Sequence, residues 1–164
     1  MARPGDAPAW VHALLAACGG FLLSTLWFDL MFDVQVYGRA LPLPEPIVAS
    51  IAAYYRRVTT DAHPMQQLVG VAMVVAVVGS IWGARFAGHR VLRWVALGTC
   101  AAPIGLAMSR VFPNAVLLGQ RSLPLADQSA LARSIFVDHV ICVACILPFL
   151  CIQVLLSRVA TPMD

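Results

Sequence analysis

A chain of 164 residues that is 60% hydrophobic and only 12% charged, with a mean hydropathy of +0.82, is too apolar for a soluble domain, in which charged residues approach a quarter of the total. It must meet lipid, and at this length residues 1–164 form a single integral membrane domain. The net charge of +3 comes from eleven arginines, no lysine and eight acids, with no basic run interleaved with aromatics, which sets nucleic acid aside.

The first span covers residues 10–32, long enough to cross a bilayer core at 1.5 Å per residue. Inside it, Leu15-Ala16-Ala17-Cys18-Gly19 resembles a lipoprotein cleavage site. Only a short apolar piece containing His12 precedes it, so the stretch reads as a span. From Asp33 to His63 the chain turns polar, and Pro42, Pro44 and Pro46 interrupt it. Ile47, Ile51, Tyr54, Tyr55 and Val58 then recur at helical spacing with Arg56 opposite, and Pro46 suits a first helical position. This predicts a short amphipathic helix in the first loop.

Spans two, three and four are predicted at 65–85, 91–109 and 134–156. The link Ala87-Gly88-His89-Arg90 is tight, so span three returns antiparallel beside span two, with Pro103 bending it. Val111-Phe112-Pro113-Asn114 is expected to end that helix, and Asp127 to cap the last one. The fold class is therefore all-α, an antiparallel four-helix transmembrane bundle. Four spans place both termini on one side. Arginine is denser in the short segments there (Arg3, Arg85, Arg90, Arg93 and Arg158, against Asp6 and Asp164), so the termini are expected to be cytoplasmic, in a bacterial inner membrane.

Projected at 100° per residue, Leu131, Ile135, Asp138, Cys142, Phe149 and Gln153 share a stripe of the last helix, with His139 and Cys145 beside it. Polar groups facing lipid are costly, so the stripe should face the bundle interior. On span one, Cys18, Leu22, Thr25 and Asp29 share a face, and Asp33 follows a turn later. Alternating spans bring Asp29, Asp33, His63, Arg110, Asn114, Asp138 and His139 to the same membrane face. Asp29 and Arg110 are read either as a register-fixing ion pair or as part of a substrate or proton site. Asp138 and His139 are read as a proton-transfer pair or as markers of the helix leaving the membrane.

In the functional reading Asp29, Asp138 and His139 are acid or base, Arg110 and Asn114 hold an oxyanion or carbonyl, and Tyr54 and Tyr55 cover the pocket. No cofactor is predicted. A metal set the chemistry allows is His63 and His139 with Asp29 or Asp138, although no ligand pair has i,i+4 spacing. Cys142-Val143-Ala144-Cys145 is a C-x-x-C resembling membrane thiol-redox enzymes of the vitamin K epoxide reductase type. Those use a loop cysteine pair, and here no cysteine lies in either long loop, so packing is the simpler role. Tyr54, Tyr55 and the four tryptophans near helix ends also fit an aromatic belt.

In order, Val111-Phe112-Pro113-Asn114-Ala115-Val116-Leu117-Leu118-Gly119, Leu131-Ala132-Arg133 and Asp138-His139 resemble the anthrone-oxygenase-like family of small four-span membrane proteins. The resemblance implies a helical bundle and oxygenation of a lipophilic polyketide-derived anthrone without an evident metal or flavin. It places Asn114 and His139 at the family's asparagine and histidine. The long first loop, Asp29 and Asp33 fall outside it. The leading functional expectation is a pocket that binds, and oxidises or exchanges protons with, a small lipophilic molecule at the non-cytoplasmic end. The alternatives are a non-enzymatic membrane subunit, alone or in an oligomer, a thiol-redox protein, or a transporter.

Overall fold

The computed structural model describes residues 7–160, so Arg3, Asp6 and Asp164, which enter the charge comparison, lie outside the described residues. Among the described residues all regular structure is helical. Helix α1 spans Ala9–Asp33 and tightens into a 3-10 turn at Val34–Val36. Helix α2 is Glu45–Thr60, α3 Met65–Ala84, α4 Arg90–Leu106, α5 Phe112–Gln120 and α6 Leu125–Ala160. Four helical stretches are long and apolar enough to cross a membrane: Ala9–Val36, Met65–Ala84, Arg90–Gln120 and Leu125–Val159. The protein is a multi-pass integral membrane protein built as a four-helix bundle.

The four long stretches pack as a closed ring in which α1 touches α3 and α6, and α4 touches the same two neighbours. Each neighbour runs opposite to the next, as alternate crossings of a membrane require. Apolar side chains such as Val71, Val74, Val78, Val91, Ile141 and Leu155 cover the outside, which suits a surface solvated by lipid. The predicted stripe of α6 faces inward, with Ile135, Asp138, Cys142, Phe149 and Gln153 all buried. Phe149 lies against Gly19, whose missing side chain lets the ring come within 3.1 Å of the Cβ position.

Two elements depart from expectation. The third span does not end at Val111–Asn114. A π-helical turn at Ala107–Val111 widens the helix, and α5 then starts with Pro113 in its first turn, where a proline needs no donor. Helix α6 begins at Leu125, so Asp127 sits within its first turn instead of capping it, still well placed for the positive end of the helix dipole. At 36 residues α6 is about 54 Å long, so it projects beyond the membrane core as its length suggests.

Helix α2 docks on α5 and α6 at the end of the bundle opposite the described termini. Val48, Ile51, Ala52 and Tyr55 form its buried face, while Arg56 and Arg57 are exposed. The loop before it is pinned to α6 by the Leu43 amide donating to Ser129 Oγ at 3.0 Å and by Arg133 donating to the Arg39 carbonyl. An Arg121–Glu45 ion pair ties α2 to the end of α5. The two backbones come close at Gly119, where an added Cβ would lie 3.0 Å from the Arg56 amide nitrogen and 3.1 Å from its Cα. Gly119→Ala is therefore expected to cost about 1–3 kcal/mol by pushing α2 outward, since backbone cannot swing aside. Gly79→Ala should be tolerated, because the atom it meets at 2.8 Å is the movable end of Leu15. Paired thermal unfolding in mild detergent checks the contrast.

Candidate functional site

Asp29 and Asp33 lie one turn apart on the inner face of α1, stacked by the helical repeat. Each receives a tyrosine from α2, because consecutive residues of a helix diverge by 100° and Tyr54 and Tyr55 straddle the contact line. Tyr54 Oη donates to Asp29 Oδ1 at 2.6 Å. Tyr55 Oη donates to Asp33, 2.8 Å from Oδ1 and 2.9 Å from Oδ2. From α6, the imidazole of His139 enters between the two carboxylates. Its Nδ1 lies 2.6 Å from Asp33 Oδ2, and its Nε2 lies 3.7 Å from Asp29 Oδ2, too far for a hydrogen bond. Asp33 is wholly buried and the Asp29 side chain is 14% exposed.

This geometry assigns distinct roles to the two acids. An ionised Asp33 can only accept, so in that state Nδ1 carries the shared proton while Nε2 faces Asp29. A carboxylate behind an imidazole in this way orients the ring and stabilises its protonated form. Asp33 was legible only as a polar neighbour in the sequence, yet it is the closest partner of His139. Its i+4 relation to Asp29 was the available signal.

The expected Asp29–Arg110 pair does not form. Arg110 Nε instead lies 3.3 Å from Asp138 Oδ2, with side-chain exposures of 56% and 2% respectively. Arg110 Nη2 also donates to Ser134 Oγ at 3.1 Å. Adjacent residues on α6 diverge by 100°, so Asp138 turns toward the π-helical turn while His139 turns toward α1. Asn114 is half-buried on α5 and joins none of the hydrogen bonds of this cluster. Arg110 and Asn114 therefore do not form the expected oxyanion clamp. His63 is exposed on the turn between α2 and α3. Among the described residues no group of three His, Cys, Asp or Glu side chains is placed to hold a metal ion, so His63, His139 and Asp29 are not a ligand set. Tyr55 is buried and Tyr54 half-buried, so neither belongs to an aromatic belt, unlike the exposed Trp10, Trp27, Trp82 and Trp94.

Both tyrosines lie outside the four membrane-crossing stretches. Burial pushes the phenol of Tyr54 well above the ordinary tyrosine range, and the negative charge and hydrogen bond of Asp29 push it further. Burial followed by Asp33 and Asp29 does the same to Tyr55. A raised pKa in the folded state stabilises it fully below the unfolded tyrosine value near 10, and that contribution is lost as pH rises beyond it. Stability is expected to fall above about pH 10, and Tyr54→Phe with Tyr55→Phe should flatten the fall. Tyrosinate absorbance and unfolding midpoints measured across alkaline pH decide it.

A cavity of about 600 Å³ opens beside the cluster between α1, α2, α3 and the α4–α5 stretch. Asp29 and Tyr54 are on its wall, with Phe28, Phe32, Met65, Val69 and Met108 among its apolar lining. A smaller cavity of about 70 Å³ reaches His139 and Cys142 inside the bundle. The two share Thr25, Asp29, Val69, Met73 and Phe112 as walls, so Asp29 stands where they meet. Neither is lined by Arg110, Asn114 or Tyr55. All five cysteines are free, and the Cys142 thiol donates to the Pro103 carbonyl at 3.7 Å.

A second buried polar pair lies toward the other end of the bundle, where His12 Nδ1 is 2.8 Å from Gln153 Oε1. Gln153 belongs to the inward stripe of α6, and both residues lie at the terminal ends of their spans. No protein-family model, curated protein or solved structure matches the chain.

Proposed function

We propose that the protein takes a small lipophilic molecule from the bilayer into the cavity beside Asp29 and exchanges a proton with it through His139. One observation carries this reading: Asp29 is at once a wall of both cavities and the group facing Nε2 of an imidazole held by Asp33. An imidazole can both take up and return a proton, and a positioned base of this kind contributes about 10²–10⁴-fold to a proton transfer. The volume suits a small organic ligand. Phe28, Met65, Met108 and Val116 on the lining are exposed at the lipid-facing surface, which supports entry from the side.

If the protein is an enzyme, the resemblance to anthrone-oxygenase-like proteins makes it an oxidoreductase, with His139 as the proton acceptor. Arginine density in the short segments favours both termini cytoplasmic and the cavity toward the other side, in what we take to be a bacterial inner membrane. Reporter fusions at each end test that orientation. The competing role is a non-enzymatic membrane subunit, favoured by one fact: Asp29, Asp33 and Asp138 all find partners within the chain, as helix-locking groups would.

Gly70 separates the two. It lines the larger cavity, and a Cβ there meets nothing within 4 Å. Gly70→Phe is expected to fill the cavity, leave the bundle folded, and remove thermal stabilisation by a panel of lipophiles. His139→Asn, whose amide nitrogen takes the place of Nδ1 and can still donate to Asp33, should keep folded, inserted protein while abolishing turnover. If no lipophile stabilises the wild type, or if Gly70→Phe changes nothing, the cavity is not a binding site and the structural role stands.

A further inference from the structure

The charges around the cavity identify the head group it takes, an inference that rests on the pocket reading above. Three carboxylates, Asp29, Asp33 and Asp138, meet only two basic groups, Arg110 and His139. Arg110 is engaged by Asp138 at 3.3 Å, and His139 by Asp33 at 2.6 Å. Asp29 keeps a phenol and an imidazole nitrogen that stands 3.7 Å away. It is also the one carboxylate of the three that reaches either cavity. The titratable groups around it are Tyr54 and Tyr55 from α2, His139 and Asp138 from α6, Arg110 from the π-helical turn and Asp33 on its own helix. Helix α3, which forms the facing wall, contains no ionisable side chain.

Even with His139 charged, the acids of this cluster outnumber its bases by one. Uncompensated negative charge at membrane depth is costly, and only a proton or an incoming cation can balance it. The same excess works against any reaction that leaves an anion beside Asp29, because no arginine lines either cavity to hold it. A ligand that arrives positive, and becomes neutral if it gives up a proton, meets no such penalty. The remaining wall suits that ligand. Phe21, Phe28, Phe32 and Tyr54 present aromatic surface, with Phe32 and Tyr54 stacked at 4.0 Å. Aromatic faces attract ammonium-type cations, most strongly where water is excluded.

We infer that the cavity binds lipophilic cations, such as hydrophobic amines in their protonated form, with the positive centre against Asp29 and the carbon skeleton in the apolar volume. Proton and cation then compete for the same carboxylate. Where the ligand is a protonated amine, the N–H bond breaks toward Asp29 or His139 Nε2, leaving a neutral amine and a protonated relay, with no change of oxidation state.

Three molecules of one shape and different charge test this: tetraphenylphosphonium, tetraphenylsilane and tetraphenylborate, presented to the full chain in zwitterionic nanodiscs and measured by equilibrium binding. Wild-type protein is expected to hold the phosphonium about tenfold or more above the silane and to reject the borate. Lowering the pH should weaken the phosphonium and leave the silane unmoved. Asp29→Asn should equalise the two, and Gly70→Phe should exclude both. Equal binding of phosphonium and silane to wild type overturns the cation inference while leaving the pocket standing. Binding of none of the three, or binding indifferent to Gly70→Phe, overturns the pocket and this inference with it.

Discussion

Asp33→Ala is expected to destabilise the bundle by about 3–5 kcal/mol, the range for removing one partner from a buried charged pair. The carboxylate it deletes is fully buried and accepts from Tyr55 while binding His139 at 2.6 Å. Alanine would leave the Tyr55 phenol and the His139 imidazole with only their own 3.4 Å contact in a region that excludes water. The loss should appear as a lowered thermal midpoint in mild detergent and as faster proteolysis of the loop at residues 37–44, because α2 is held partly through Tyr55. Asp33→Asn separates folding from proton chemistry. Its amide oxygen still accepts from Tyr55, and its amide nitrogen can donate to Nδ1, so most of the stability should return. The histidine is then driven to the opposite tautomer, with the proton on Nε2. Nitrogen chemical shifts of labelled His139 report that switch. An unchanged tautomer in Asp33→Asn would remove Asp33 from the role assigned to it.

Arg110→Ala should cost about 3 kcal/mol, because it leaves Asp138 buried with only the Ser134 hydroxyl, 3.5 Å away. The guanidinium is more than half exposed, so little packing is lost with it. The cost therefore comes mainly from the stranded carboxylate, and Asp138→Asn in the same chain should recover most of it. A double-mutant cycle on Arg110 and Asp138, read by thermal unfolding, measures the coupling. Additive losses would mean that the two side chains are not partners. The pair joins the π-helical turn to α6, so it positions the third span. It does not supply an anion-binding group to the cavity.

The pairing of these residues shows where sequence reasoning ran out. Asp29, Asp33, Asp138, His139 and Arg110 were assembled at one end of the bundle from span alternation alone, because helix direction and length follow from hydropathy. Which acid meets which base was not legible. Asp29 and Arg110 are the natural pair on topology. In the structure the rotation of α6 turns Asp138 toward Arg110 and leaves Asp29 to Tyr54 and His139. A rotation of 100° separates those outcomes, and hydropathy does not resolve rotation that finely when both faces are apolar. The π-helical turn at Ala107–Val111 was hidden for a related reason. Pro113 reads as a helix end unless an inserted residue absorbs its missing donor, and that depends on packing.

Composition and periodicity alone determined that the chain crosses a membrane four times, that one face of the last helix points inward, and that an amphipathic helix interrupts the first loop. These follow from local physics: transfer of apolar side chains to lipid, satisfaction of backbone hydrogen bonds within each helix, and the 3.6-residue repeat. Only the tertiary structure decided that α2 folds over the bundle end and brings Tyr54 and Tyr55 onto the two aspartates. Only it gave Asp33 to His139 and opened a cavity against Asp29. Those features depend on the rotation and depth of helices relative to one another. Rotation and depth are set by side-chain packing at contacts such as Gly119 on Arg56 and Gly19 on Phe149, between residues far apart in the chain.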